Sequence, residues 1–243
     1  MQKAGWLTGL AALGLVLWKF KAITILILAK AKLLLLGLTK ASTLFSMLLS
    51  FGVYWTAWGW KFALGLLLSI YIHEMGHVAA LRRFGIKATA PMFIPGLGAV
   101  IRLKQYPANA REDARVGLAG PIWGLGAALV AWMVYLLTGG AYWAAIARVG
   151  AWINLFNLAP VWQLDGGRGF RALSKEQRWW AFAVIGAMLL ISQDGLLIVL
   201  LALALWKALE KDAPAEPDRV AFIQYAILVV ALSALCTLEP VAR

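Results

Sequence analysis

Three stretches of this 243-residue sequence, 42–59, 116–138 and 220–238, run without a single charged side chain. Each is close to the ~20 residues that an α-helix needs to cross the hydrocarbon core of a bilayer. Lipid offers the backbone no hydrogen-bond partners, so segments of this kind must satisfy their own amides and carbonyls. Overall, 63% of residues are hydrophobic, 14% are charged and the mean hydropathy is +0.79. A soluble domain of this length cannot hide that much apolar surface. The expected fold is therefore all-α, a polytopic transmembrane helical bundle of about six to eight spans.

Taken in order, residues 1–60 are expected to form N-terminal apolar helices. Their first part is interrupted by Lys19, Lys21, Lys30 and Lys32, and a span at 42–59 ends in the tryptophan belt Trp55-Thr56-Ala57-Trp58-Gly59-Trp60. Met1-Gln2-Lys3 leads into this region without a small-residue cleavage site. A second span covers 61–83. Residues 90–102 are apolar but contain Pro91, Pro95, Gly96 and Gly98, too short and too interrupted for a spanning helix. They read as a membrane-associated hairpin or loop. Spans at 116–138 and 141–158 follow, joined by a tight turn at Gly139-Gly140. A helical pair at 179–192 and 195–210, an exposed linker at 211–218 and a last span at 220–238 complete the chain. Residues 61–175 thus form a core, with 176–243 as C-terminal transmembrane helices.

The core carries an unusual polar group. The run Phe62 to Ile72 has no charge and leads straight into His73-Glu74-Met75-Gly76-His77, which holds both histidines of the chain. Ionisable groups at membrane depth are costly, and they persist where they do chemistry or handle ions. Histidines at i and i+4 share one helix face and can ligate one metal. Glu74 lies ~100° round the helix, within reach of a water on that metal. A catalytic zinc takes three protein ligands and leaves one position open. With histidine exhausted and Cys236 the only cysteine, the third ligand must be a carboxylate. Glu112, Asp113, Asp165 and Asp194 are candidates; Asp165 is the best, because its span returns to the same depth and Gly166-Gly167 lets backbone pass close. A plain Asp-Gly turn is the bland account. Asn154 and Asn157 can hold a substrate backbone or an oxyanion, or simply bond one helix to another. Gly117, Gly120, Gly124 and Gly126 suit close helix packing.

The formal charge of +12 resides mainly in loops between apolar runs. Those at 82–115 and 168–178 are rich in Lys and Arg, whereas the turns at 139–140 and 193–194 carry no positive charge. The positive-inside rule then puts the basic loops, and with them the histidines and Asp165, on the cytoplasmic half of a cell-membrane protein. No basic face with interleaved exposed aromatics points to nucleic acid.

Two motifs together resemble the site-2 protease family of intramembrane zinc metalloproteases. They are His73-Glu74-Met75-Gly76-His77 and the stretch from Asn157-Leu158-Ala159-Pro160 to Leu164-Asp165-Gly166-Gly167. Ala119-Gly120-Pro121 resembles the family's middle segment, although an asparagine common near Trp123-Gly124 is missing. Gly96-Leu97-Gly98 resembles its membrane-associated hairpin, which helps present an extended substrate. The resemblance covers roughly 60–175. It implies one Zn2+ per chain held by His73, His77 and Asp165, catalysis by Glu74, and Asn157 in the polar set of the active site. The implied activity is hydrolysis of a peptide bond within or beside a transmembrane segment of a membrane-tethered substrate, as in regulated intramembrane proteolysis. A minimal form, without the PDZ and CBS domains of many members, is expected. A metal-handling transporter, for which Glu74 would be dispensable, and a non-catalytic pseudoprotease scaffold are the alternatives. Oligomeric state is not written in the sequence.

Overall fold

The computed structural model describes residues 43–87, 89, 91–96, 98–100, 105–161 and 164–239. The helices expected before Thr43 lie outside the described residues. So do Leu97 in the hairpin and Trp162-Gln163 in the downstream motif.

Eight helices and one hairpin make up the described chain. Helix α1 (Thr43–Trp58) is followed by α2 (Trp60–Arg83) and the strands β1 (Met92–Ile94) and β2 (Gly98–Val100). Then come α3 (Ala110–Thr138), α4 (Ala141–Asn157) and the short α5 (Asp165–Arg171). Helices α6 (Lys175–Ser192), α7 (Gly195–Leu209) and α8 (Arg219–Thr237) close the chain. The expected all-α architecture with a small hairpin is what forms. Among the described residues three helices, α2, α3 and α8, are long and apolar enough to cross a membrane, and α7 is a shorter apolar helix.

Helix boundaries follow local chemistry. The Asn109 side chain accepts from the Glu112 amide to start α3, with Glu112 and Asp113 in the positive first turn. Gly139, at φ 69°, ends that helix in the left-handed conformation that glycine adopts freely. Ser174 and Gln177 form a reciprocal capping box at α6, while Asp194 and Asp218 cap α7 and α8. Asp194, one of the candidate ligands, is thus the cap of a turn.

Helix α3 is the centre of the bundle and touches α2, α4, α5 and α8. On one side of it a large core gathers Leu118, Leu155, Leu158, Phe170, Ile185, Leu200 and Tyr225 from α3 to α8. On the other, Tyr54, Leu66, Leu67, Ile70 and Phe93 join α1, α2 and the hairpin. The outward faces are apolar as well: Leu137 on α3 is 78% exposed and Leu190 on α6 is 80% exposed. Such faces belong in lipid.

In the hairpin, Met92 pairs with Val100, Phe93 with Ala99 and Ile94 with Gly98. Helix α1 bonds along the outer side of the hairpin three times, once to β1 itself. Thr43 Oγ1 donates to the Pro91 carbonyl (2.7 Å), Ser46 Oγ accepts from Phe93 N–H (3.1 Å), and Tyr54 Oη accepts from Gly96 N–H (3.1 Å). The outward amide of Phe93 is thereby occupied.

The basic loops also prove to be partnered. Arg111 pairs with Glu216 and Arg115 with Asp218, both at 2.7 Å, tying the start of α3 to the linker before α8. Burial raises the pKa of Asp218, but the Arg115 hydrogen bond and the Ala221 amide outweigh it, so the net shift is downward. A depressed folded-state pKa gives stability that is complete above the ordinary carboxylate range and is lost as pH falls through the folded value. Thermal melts in detergent taken from neutral pH to below about pH 4 should therefore show a steeper acid-side loss for wild type than for Asp218→Asn. Parallel curves would refute this.

Candidate metal centre and active site

Successive turns of α2 bring His73 and His77 onto one face, as i,i+4 spacing requires. Their Nε2 atoms are 3.1 Å apart. Asp165, the first residue of α5, places Oδ2 3.1 Å from His73 Nε2 and Oδ1 3.3 Å from His77 Nε2. Gly166 does not end the preceding segment, as Asp-Gly suggests in the sequence; it lies inside a new helix. A Cβ there would overlap the backbone of Leu158, so only glycine lets α5 start this close to the end of α4. Tyr225 Oη donates to the same Leu158 carbonyl at 2.8 Å and holds the corner.

Second partners orient both rings. His73 Nδ1 lies 2.7 Å from Asn154 Oδ1, and because Asn154 Nδ2 donates to the Gly150 carbonyl, Oδ1 faces the ring as an acceptor. His77 Nδ1 lies 2.8 Å from the Val116 carbonyl. Each Nδ1 therefore carries a proton, and in the neutral ring the Nε2 lone pair is then directed at Asp165. With both rings neutral, the two Nε2 atoms and the two Asp165 oxygens are converging acceptors, an arrangement that a cation relieves. Ligands ~2.0–2.1 Å from a tetrahedral ion stand ~3.3 Å apart, close to the 3.1 Å between the two Nε2 atoms and to the distance from each to its nearer Asp165 oxygen. His73, His77 and Asp165 are all buried, and they are a group able to hold a metal ion.

Helix α3 supplies the floor. Gly117, Gly120 and Gly124 lie on one stripe. A Cβ on Gly117 would meet Arg168 Cβ at 2.6 Å, and one on Gly124 would overlap the Asn154 amide. A Cβ on Gly120 would overlap His77 Nε2 and come within 2.8 Å of His73 Nε2. Gly117, Gly120 and Gly124 serve close packing, as expected, but against site side chains; Gly126 does not, since a Cβ there meets nothing within 4 Å. The asparagine missing from α3 near Gly124 has a counterpart in Asn154, which enters the same space from α4.

The remaining candidates separate cleanly. Glu74 is buried and lines the same cavity as His73, His77 and Asp165. Asn157, at the end of α4, lines it too, whereas both ends of the Asn154 amide are engaged within the protein. Glu112 accepts from Ala108 N and Asn109 Nδ2 at the start of α3. Asp113 accepts from Arg168 and Arg171. Spacing alone does not disclose that Asn154 orients a histidine; its one signal in the sequence is a polar residue one turn before Asn157 in an apolar span. The cavity measures about 1460 Å³. Leu66, Ile70, Val149 and Ile153 line its apolar part, and Asn109, Asp113, Arg168 and Arg171 line its polar part.

Comparison with known proteins finds relatives for part of the chain. The chain is similar to a zinc metalloprotease of Methanocaldococcus jannaschii, 27% identical over 113 residues that cover 44% of this chain and 32% of the relative. It is also similar to a probable chloroplastic zinc metalloprotease of Arabidopsis thaliana, 32% identical over 74 residues that cover 28% of this chain and 13% of that protein. The matches thus span a third or less of these relatives' own lengths. Residues 61–141, which hold the His-Glu-x-x-His helix and the glycine stripe, match the model of Peptidase family M50. Through that segment, a third of its length, the chain is similar to Peptidase family M50, the site-2 protease family.

Proposed function

We propose that this protein is an intramembrane zinc metalloendopeptidase that cuts a peptide bond within or next to a transmembrane segment of a membrane-tethered protein. The observation that carries the reading is the convergence of His73 Nε2, His77 Nε2 and Asp165 on one point, with Glu74 beside it, on a helix apolar enough to span a membrane. The zinc metalloprotease names of the two relatives point the same way. Pockets for small ligands run to ~1,000 Å³. The cavity here is larger, and its apolar lining suits a stretch of unwound membrane helix.

His73, His77 and Asp165 hold the ion, with Asn154 and the Val116 carbonyl fixing the tautomer of each histidine. Bound at these ligands, zinc supplies Lewis acidity toward a carbonyl and a water of lowered pKa. Glu74 takes the proton from the attacking water and delivers it to the leaving amide nitrogen. Asn157 donates from its side-chain amide to the substrate backbone or the developing oxyanion. The site opens toward the cytoplasmic half, as the positive-inside pattern has it.

The test uses the whole chain purified in detergent. It should carry one equivalent of zinc and cleave a model transmembrane peptide. Stripping the metal should stop cleavage, and added zinc should restore it. Cleavage that survives complete metal removal, or a preparation that binds no zinc, overturns the proposal.

A further inference from the structure

Asp113, one of the carboxylates that the sequence offers as a ligand, sits away from the two histidines with both oxygens engaged. Arg168 Nε donates to Oδ1 at 2.8 Å. Arg171 donates to Oδ2 from Nη2 at 2.6 Å and from Nε at 3.1 Å. Both arginines belong to α5, the helix whose first residue is Asp165. On α3, Asp113 stands at i, with Gly117, Gly120 and Gly124 at i+4, i+7 and i+11, so it begins the stripe that runs beneath the site. The three glycines provide room and no directional bond. Asp113 is the polar anchor of that stripe.

We propose that Asp113 is a positioning residue, an ionic latch that docks α5 onto α3 and thereby holds Asp165 in register with His73 and His77. The proposal rests on Asp165 being a zinc ligand. Seven residues make too short a helix to hold its own shape, so its placement depends on outside contacts. One end is fixed by Gly166 against Leu158, and Phe170 is buried beside Tyr225. Between them, Asp113 sets the rotation and slide of α5 along α3. A carboxylate shared by two guanidinium groups makes charge-assisted bonds that are directional as well as strong. Its side chain is 18% exposed and that of Arg168 is 13% exposed, so solvent screens this pair less than it screens a surface ion pair. Arg168 Nη2 is buried without a partner, which leaves Asp113 as the anion that compensates this guanidinium. Because Phe170 remains anchored, loss of the latch should shift Asp165 without unfolding α5.

The experiment measures zinc affinity of the full chain in detergent by competition with a chromogenic chelator, alongside thermal melts of the metal-free protein. Asp113→Asn should bind zinc about 10- to 100-fold more weakly, the usual effect of losing a group that orients a ligand. Arg115→Gln is the control. It breaks the neighbouring α3 ion pair to Asp218, which does not involve α5, and should lower the melting temperature while leaving zinc affinity at the wild-type value. Asp113→Asn combined with Arg168→Gln should bind no more weakly than the weaker single variant, since both remove one latch. Wild-type affinity in Asp113→Asn overturns the latch, and so does an equal loss in Arg115→Gln. If Asp113→Asn does not fold, Arg171→Gln serves, its side chain being 49% exposed, and unchanged affinity there and in Arg168→Gln refutes the proposal. Wild type that binds no zinc fails at an earlier point, overturning the metalloprotease reading and the latch with it.

Discussion

Glu74→Gln is expected to keep a full equivalent of zinc while cleaving a transmembrane substrate about 100- to 10,000-fold more slowly than wild type. The size of the effect follows from what the substitution removes. Glu74 is next to His73 in sequence, is buried and lines the cavity on which the ligands converge, yet the three residues that meet there are His73, His77 and Asp165. Glutamine fills the same volume and can still hydrogen-bond to a water, so the metal and the packing stay. It cannot accept a proton at working pH, so the water loses its base and the leaving amine its acid. Zinc content by metal analysis and cleavage by gel are the two readouts. A transporter would keep its flux in Glu74→Gln, and a scaffold would keep its function. Cleavage near the wild-type rate would remove Glu74 from the mechanism.

Gly120→Ala should abolish stoichiometric zinc binding, and with it cleavage, through the addition of one methyl group. That methyl would fall on His77 Nε2 and within 2.8 Å of His73 Nε2, in the space toward which both lone pairs are directed. Relief requires α3 to withdraw from α2 or both rings to turn. Turning the rings breaks the bonds to Asn154 and to the Val116 carbonyl. Gly126 on the same helix is the matched control, because a Cβ there meets nothing within 4 Å. Gly126→Ala should bind zinc as wild type does. Equal zinc in the two alanine variants would show that α3 does not press on the site. Equal loss in both would trace the effect to the helix as a whole.

Part of this site is legible in the amino-acid sequence because its geometry is local. Two histidines four residues apart in a helix share a face whatever surrounds them, and their place in an apolar span marks them as functional. The helix ends follow from Asn109, Gly139, Ser174 and Asp218 by the same local logic. Asp165 is reachable through depth and motif although it lies far downstream of His77, but Glu112, Asp113 and Asp194 remain its rivals at that level.

What separates them is tertiary. A carboxylate becomes a ligand, a latch or a cap according to which helix lies across from it, and no spacing rule supplies that. Asp194 caps α7, Glu112 closes the first turn of α3, and Asp113 grips α5. Asn154 orients His73 because Gly124 leaves room for its amide, a relation among residues on three different helices. Prolines and glycines predict the hairpin, but only packing decides that α1 hydroxyls bond along one side of it. By itself the sequence determined which segments are helical and which side chains are candidates for the chemistry, because backbone hydrogen bonding in lipid and i,i+4 geometry act over a few residues. The tertiary structure alone decided how those side chains are held, because that depends on α3 passing within a methyl group's width of the histidines and of α5.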